Sequence, residues 1–182
     1  LLENAGKTLR EYGDTHMLTP AIGTVALVQV TKKTDDSYAF DFSRLEKWFD
    51  TFEAVGFKYF DGRHITGAPA TEMIDEATGK TIKPLAGKKM GIDPETVAFL
   101  EAYYPQLHAL LTRRNMVDRY FQCQYDEPRN DDQYRALTEL ARRLMPGVKT
   151  KDAINGRPER FSPLVDVHVF GIRTMEDSEV VK

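Results

Sequence analysis

One segment constrains the fold more than any other, because an amphipathic helix pattern leads directly into a short apolar run. Apolar side chains recur at helical spacing from Ser43 to Val55, and Gly56 is typical of a helix end. Phe57 to Phe60 then predicts a short strand, with Asp61-Gly-Arg-His64 at its tip. A helix followed by a short strand with polar residues at its end is the repeating unit of an α/β barrel.

Five short apolar runs predict the strands of one parallel, TIM-like (β/α) barrel wall. They are Thr24 to Val30, Phe57 to Phe60, Val117 to Tyr125, Val148 to Ala153 and Leu164 to Phe170. We expect the stretch 16–20 to be a loop. A full barrel has eight strands and about 250 residues, so about five strands in 182 residues predict a partial barrel. We therefore interpret residues 1–182 as a single partial domain, an excerpt of a longer protein, since the chain starts inside a helical pattern.

The connection 67–91 is long and carries a pattern of its own. Runs from Glu72 to Glu76 and from Thr81 to Leu85 flank a turn sequence, which predicts a hairpin. Long structured loops often serve function, so this one is either a wall or lid of the site or a surface elaboration. Further along, Asn130 and Gln133 have the spacing of a helix cap.

Composition and motifs argue against several classes of function. The formal charge of −3 gives no support for nucleic-acid binding. No apolar run is long enough to cross a membrane. Four scattered histidines lack zinc-site spacing, there is no glycine-rich phosphate loop, and no Gly-x-Ser-x-Gly elbow is present. The sequence therefore predicts no cofactor and no metal.

The strongest candidate for chemistry is the run from Tyr120 to Pro128, which ends in the adjacent carboxylates Asp126 and Glu127. Neighbours on a regular strand point to opposite faces, so the two can share one site only if the strand has ended. Pro128 indicates such an end and places Glu127 in an extended or turn conformation. Both carboxylates would then lie at the mouth of the barrel. The alternative is an ordinary exposed turn before a helix.

An ordered set of short motifs resembles the catalytic domain of glycoside hydrolase family 123, from about residue 24 to 170. The set comprises Phe40 to Trp48, Ala54 to Gly62 with His64, Asp118 to Tyr120, Asp126-Glu-Pro128, Tyr134-Arg135, Pro146-Gly147, Asp152-Ala153 and Val165 to Val167. Members of that family are β-N-acetylgalactosaminidases built on a barrel. The resemblance implies a glycan or glycoconjugate substrate. It also favours a secreted or periplasmic location.

The resemblance implies a retaining, substrate-assisted hydrolysis of terminal β-linked N-acetylhexosamine, with N-acetylgalactosamine favoured. In that mechanism Asp126 orients the 2-acetamido group of the sugar, and Glu127 acts as acid and then as base. Polar residues at the other strand tips are candidate substrate contacts. They are Asp61, His64, Tyr125, Asp152 and His168.

The sequence departs from the family at Asp166 to Gly171, where the family tends to have tryptophan and a proline. This departure motivates one alternative, a non-catalytic carbohydrate-binding barrel module. A barrel glycosidase that acts on a sugar without an acetamido group is a further alternative. In either case the remaining barrel strands, or other domains of the parent chain, are expected partners.

Overall fold

A computed structural model describes residues 1–23, 25–154 and 161–169. The helices are α1 (Leu2–Glu11), α2 (Ser43–Ala54), α3 (Pro94–Arg113) and α4 (Asp131–Leu144), with short 3-10 helices at Ile65–Ala70 and Ser162–Leu164. The strands are β1 (His16–Thr19), β2 (Gln29–Lys32), β3 (Tyr38–Asp41), β4 (Tyr59–Gly62), β5 (Met73–Asp75), β6 (Thr81–Ile82), β7 (Tyr120–Gln122), β8 (Lys149–Ala153) and β9 (Val167–Val169).

The main sheet has five strands in the order β1-β4-β7-β8-β9, and every neighbouring pair is parallel. This order is also the order along the chain. Parallel neighbours need long crossover connections, and α2, α3 and α4 lie within three of them. The protein is therefore a mixed α/β structure with a five-stranded parallel sheet, which confirms the coarser part of the predicted fold.

Helix α2 covers one face of the main sheet through the apolar stripe predicted from the sequence. The Phe49 ring of α2 packs edge-on against Phe60 of β4, with ring centroids 5.0 Å apart, and also lies near Tyr120 of β7. Strand residues on this face alternate with those on the other, as the pleat requires. Phe60 and Tyr120 are consequently part of the core, which is continuous from α2 through α3 to α4.

The opposite face of the main sheet is partly open and carries a small group of rings. His16 of β1 stacks on Tyr59 of β4 at 4.8 Å, and Phe121 of β7 lies 6.0 Å from Tyr59. Leu18, beside them on β1, is 60% exposed. One face of the sheet is thus packed and the other is not.

A second sheet is made from insertions in the first two crossovers, in the order β3-β2-β5-β6. Strands β2 and β3 form a hairpin between β1 and α2, and β5 and β6 form the predicted hairpin between β4 and α3. The two hairpins join through parallel pairing of Val30 with Met73. Both hairpins leave from the carboxyl edge of the main sheet, so they stand on the side where the candidate site is expected.

Two expectations about the first wall strand are wrong. The stretch 16–20 was expected to be a loop, but His16–Thr19 pairs with β4 as an edge strand. The run from Thr24 to Val30 does not enter the main sheet, and Thr24 itself lies outside the described residues. Its backbone instead folds back on the preceding turn, with Leu27 N donating to Pro20 O and Val28 N to Ala21 O. Hydrophobicity alone marked Val28 and Val30 as buried, which they are, without showing that Val30 joins the second sheet and Val28 precedes it.

Because β4 and β7 approach each other closely at position 62, we expect only glycine to fit there without strain. A Cβ atom there would lie 2.9 Å from Cζ of the buried Tyr120 ring and closer still to its hydroxyl oxygen. Overpacking of this kind typically costs about 1–3 kcal/mol. Gly62→Ala should therefore lower the free energy of unfolding by that amount in urea denaturation.

Gly67→Ala provides the matched control, because a Cβ at that position meets no atom within 4 Å. Its free energy of unfolding should stay within about 0.5 kcal/mol of the parent value. Equal destabilisation by the two substitutions would show that the contact with Tyr120 is not the cause.

Candidate active site

Four of the predicted site residues lie at the carboxyl edge of the main sheet. His64 follows the end of β4, Asp126 and Glu127 follow the end of β7, and Asp152 lies near the end of β8. Because neighbouring parallel strands end at the same edge, three separate parts of the sequence meet there.

The chain leaving β7 is held by backbone pairing with the chain leaving β4. Ile65 N donates to Cys123 O at 3.1 Å, and Thr66 N donates to Gln124 O at 3.2 Å. These bonds carry the association of the two strands past their formal ends. The backbone just before the carboxylate pair is therefore fixed from one side.

Gln124 adds a side-chain anchor to the same segment. It is completely buried, and its Oε1 accepts a hydrogen bond from the Tyr104 hydroxyl of α3 at 3.1 Å. Gln122, at the end of β7, donates from Nε2 to the carbonyls of Cys123 and Arg63. Both glutamines tie the end of β7 to its surroundings.

Asp152 holds the segment from the other side. Its Oδ1 accepts from the backbone N–H groups of Gln124 at 2.9 Å and Tyr125 at 3.1 Å. Its Oδ2 accepts from the Tyr134 hydroxyl of α4 at 2.9 Å. The residue is 1% exposed, so these groups replace solvent around the carboxylate.

Burial dominates the electrostatics of Asp152. It raises the pKa of this carboxyl from an ordinary value of 3.8 to about 7, and the hydrogen bonds from Gln124, Tyr125 and Tyr134 oppose the rise. The nearby Asp126 carboxylate raises the pKa further, since a second negative charge disfavours ionisation.

His64 is half-buried, and its Nε2 lies 3.9 Å from Oδ1 of Asp152. Burial lowers the pKa of His64, although the Asp126 carboxylate raises it in part. Since the pKa of Asp152 is raised, the pH ranges in which the two groups are charged barely overlap. The contact is consequently not a strong ion pair, and its length exceeds that of a hydrogen bond.

Asp126 and Glu127 are both exposed, in contrast to Asp152. The backbone at Glu127 has φ of 50°, in the left-handed region that non-glycine residues rarely adopt, while Pro128 behind it is buried. The turn conformation expected before Pro128 is therefore left-handed and not extended. Strand alternation has ended by this point.

Helix α4 begins directly after this turn. As predicted, Asn130 caps it, and its side-chain oxygen accepts from Gln133 N at 3.0 Å. The segment that carries the carboxylate pair is thus anchored before the pair by Asp152 and after it by the helix cap.

Asp61 lies on the other face of the sheet from Asp152. Its Oδ2 pairs with Lys151 Nζ at 2.6 Å, and Lys151 also lies 5.8 Å from the centre of the Phe121 ring. Oδ1 of Asp61 is buried and accepts no hydrogen bond within the described part of the chain. The structure therefore does not bring Asp61 into the group formed by His64, Cys123 and Asp152.

Tyr125 and His168 lie beside β8 and β9. Tyr125 is partly buried and packs against a small cluster that includes Tyr134 and Phe161. His168 is half-buried on β9, in register with Asp152. The sequence departs from the family pattern at residues 166–171, and two of these, 170 and 171, lie outside the described residues.

Asp166, which shares its strand face with His168 by parity, is oriented toward the helices. Its carboxylate accepts from the backbone N–H of Thr150 at 2.8 Å and lies 3.5 Å from the guanidinium of Arg142 on α4. Asp166 therefore serves the packing of β8 against β9 and α4.

Among the described residues, His64, Cys123 and Asp152 bring possible metal-ligating atoms within 4.8 Å of one another. Both oxygens of Asp152 already accept hydrogen bonds, and burial raises the pKa of the Cys123 thiol, which favours the neutral form over a thiolate.

Three contributors to the site were not identified from the sequence. Tyr134 was noted within the family motif Tyr134-Arg135 but was given no role in the site, although a buried tyrosine hydroxyl normally has a partner. Gln124 and Lys151 carried no recognisable signal, because their partners Tyr104 and Asp61 are distant in sequence.

A depression of about 550 Å³ lies at the opposite edge of the main sheet, lined in part by Lys58, Asp118 and Arg119. Arg119 is already engaged there by Glu53 at 2.8 Å. Strands of parallel sheets carry their sites at the carboxyl edge, so this depression is not the candidate active site.

Residues 6–182 match the family described as glycoside hydrolase 123, catalytic domain. This match makes the chain part of a glycoside hydrolase and supports a glycosidase function. The chain belongs to glycoside hydrolase family 123, as its sequence motifs indicated.

A solved structure gives an independent view of the fold. It comes from a study of glycolipid glycan hydrolysis by a family 123 glycoside hydrolase from Clostridium perfringens, and it superposes with a TM-score of 0.79. The identity is 15%, and the match covers 95% of this chain but 33% of that chain. At this identity the likeness shows the fold, and the chain spans about a third of that protein's length. No curated protein matches the chain significantly.

Within residues 1–23, 25–154 and 161–169, every helix is too short or too polar to span a lipid bilayer.

We expect Asp152 to make the stability of the fold depend on pH. Its pKa is raised to about 7 in the folded state, so the folded chain binds more protons than the unfolded chain between about pH 4 and pH 7. The stability contributed by this group should fall as the pH rises through that range. Thermal unfolding should be measured for the parent protein and for Asp152→Asn at several pH values from about 5 to 8. The variant should become more stable relative to the parent as the pH rises.

Asp132→Asn serves as the control, because Asp132 is an exposed carboxylate in the first turn of α4. Its stability relative to the parent should change little over the same pH range. A difference between parent and Asp152→Asn that is constant with pH would contradict the raised pKa.

Proposed function

We propose that this domain hydrolyses terminal β-linked N-acetylhexosamine, with N-acetylgalactosamine favoured, by a retaining and substrate-assisted mechanism. The observation that carries the proposal is the exposed pair Asp126-Glu127, presented at the carboxyl edge of a parallel sheet by a segment anchored at both ends. Membership of glycoside hydrolase family 123 supports the reaction class.

The spacing of the pair favours a nucleophile supplied by the sugar. Ordinary glycosidases use carboxyl groups that face each other across the scissile bond, about 5–10 Å apart. Asp126 and Glu127 are instead neighbours in the chain, and both are exposed at the same turn. Such a pair is suited to divided roles, in which Asp126 orients the attacking 2-acetamido group and Glu127 acts on the leaving oxygen.

In the first step, the acetamido carbonyl oxygen forms a bond to the anomeric carbon while the glycosidic carbon–oxygen bond breaks. Glu127 transfers its proton to the leaving oxygen. Asp126 accepts the acetamido N–H and stabilises the positive charge that develops on the oxazolinium ion, which is electrostatic stabilisation of a transition state by a fixed charge.

In the second step, water attacks the anomeric carbon, and its proton passes to the Glu127 carboxylate. The bond between the anomeric carbon and the acetamido oxygen breaks, which regenerates the acetamido group. Two inversions at one carbon give overall retention of configuration.

The left-handed backbone at Glu127 supports a shared role for the two consecutive residues. On a continuing strand their side chains would point to opposite faces. A non-glycine residue in the left-handed region costs about 1–2 kcal/mol, and such conformations persist where the surroundings enforce them. Buried Pro128 and the Asn130 cap provide those surroundings.

We also propose that the main sheet forms five strands of a TIM-like barrel wall. Its strands follow the chain order without the reversal that marks a doubly wound sheet. The helices pack on one face, while His16, Leu18 and Phe121 lie on the face that would line a barrel. On this proposal the remaining strands come from other parts of the parent chain, which the partial coverage of the solved structure supports.

The sugar contacts are proposed in the same frame. His64 is half-buried beside the pair and suits a hydroxyl contact. Asp61 has one oxygen without a donor in the described part of the chain, which supports a role as a hydroxyl acceptor. Tyr125 directly precedes Asp126 and is proposed to contact the sugar from the β7 side. His168 lies in register with Asp152 on the face toward the helices, which gives no support to the contact that the sequence indicated for it.

Glu127→Gln should lower kcat by about 10²–10⁴-fold on an aryl β-N-acetylgalactosaminide, because an amide cannot transfer the proton. The loss should be smaller for a good leaving group such as 4-nitrophenolate than for a poor alkoxide, since a good leaving group needs less protonation. Asp126→Asn should also lower kcat, but by a similar factor for both substrates, because Asp126 acts on the acetamido group.

Glu139→Gln and Asp132→Asn are matched controls, since both are exposed carboxylates on α4. They should retain parental kcat, and NMR of the parent reaction should show the β-anomer as first product. Inversion, or full activity on a plain 2-hydroxyl galactoside, would contradict the substrate-assisted mechanism. Binding of the sugar without turnover would identify a non-catalytic carbohydrate-binding module.

A further inference from the structure

We infer that Asp152 is a positioning residue: it holds the segment that carries Asp126 and Glu127 and does not itself contact the substrate. The inference rests on the proposed function of the pair. It changes the role of Asp152, which the sequence indicated as a substrate contact at the tip of β8.

The burial of Asp152 separates it from the exposed pair. It is 1% exposed, and its side chain has no exposed area. A sugar hydroxyl would have to displace existing donors to reach either oxygen. Asp126 and Glu127, by contrast, are open to solvent.

The hydrogen bonds of Asp152 go to the backbone that leads into the pair. The N–H groups of Gln124 and Tyr125 both donate to Oδ1, at 2.9 and 3.1 Å, so two consecutive peptide groups are oriented by one oxygen. Tyr125 is the residue directly before Asp126. A movement of the Asp152 carboxylate would therefore displace the Tyr125 peptide group and, through it, Asp126.

Tyr134 connects this contact to the helix on the far side of the pair. Its hydroxyl donates to Oδ2 of Asp152 at 2.9 Å, and its ring packs edge-on against Phe161 at 5.3 Å. Since α4 begins soon after Glu127, the Asp152–Tyr134 bond closes a ring of contacts around the segment. The segment is then fixed relative to both β8 and α4.

Such a role should act on kcat more than on KM. Displacing a catalytic group by about 1 Å can cost about 10²-fold in rate, because the reacting atoms lose alignment. Substrate binding draws on other contacts, such as those proposed for His64 and Asp61. A residue that touched the sugar directly would instead raise KM when it is removed.

The test compares Asp152→Ala with Asp152→Asn in the parent protein. Alanine removes both acceptors, so the amides of Gln124 and Tyr125 should exchange hydrogen at least about 10-fold faster, while Ile154, whose N–H donates to Val169 O, should not change. The kcat should fall about 10²-fold with KM within about twofold. Asparagine keeps one acceptor oxygen and should restore most of the protection and of kcat.

Tyr134→Phe is the second variant, in case Asp152→Ala does not fold. It removes one donor and should lower kcat by a few fold, with faster exchange at Gln124 and Tyr125. Tyr103→Phe is its matched control, because the Tyr103 hydroxyl is buried without a hydrogen-bond partner in the described part of the chain. It should change neither exchange nor kcat.

Unchanged exchange at Gln124 and Tyr125 in Asp152→Ala would overturn the inference. A raised KM with unchanged kcat would also overturn it, in favour of direct contact with the sugar. If the parent protein hydrolyses no hexosaminide but the exchange depends on Asp152 as described, the proposed function fails while the role of Asp152 in holding the segment stands.

Discussion

The candidate site depends on one buried carboxylate that accepts hydrogen bonds from two consecutive peptide groups. Burying Asp152 is costly by itself, and its raised pKa reflects that cost. The donors that offset the cost, on Gln124, Tyr125 and Tyr134, belong to the segments on either side of Asp126 and Glu127. The same hydrogen bonds therefore satisfy the buried Asp152 carboxylate and fix the segment that carries the exposed pair.

Sequence reasoning succeeded where the signal was local. The stripe of α2, the cap at Asn130, the hairpin of β5 and β6 and the end of β7 before Asp126 all depend on residues close together in the chain. Helical spacing and cap chemistry act within a few residues, so they are visible without knowledge of the fold. Family motifs supplied the reaction class in the same way.

Sequence reasoning failed where distant partners decide the outcome. Strand β1 is four residues long and depends on pairing with β4, while the more hydrophobic run that ends at Val30 was assigned to the wall in its place. Asp61 and Asp152 both looked like polar residues at strand tips. Their different roles follow from strand parity: Asp61 faces Lys151 on the open side, and Asp152 faces the helices.

On the open side of the sheet, Asp61 has a hydrogen-bond donor in the described part of the chain for only one of its two carboxylate oxygens. Its ion pair with Lys151 is mostly buried, with the side chains of Asp61 and Lys151 16% and 20% exposed, so only some water still reaches it. Covering this face with further strands would remove that water and make the pair costly unless every lone pair found a donor. Oδ1 of Asp61 accepts no hydrogen bond in the described part of the chain. On the proposed function, a sugar hydroxyl at the barrel mouth would donate a hydrogen bond to this oxygen. Asp61 Oδ1 would then connect the proposed barrel wall with the proposed substrate.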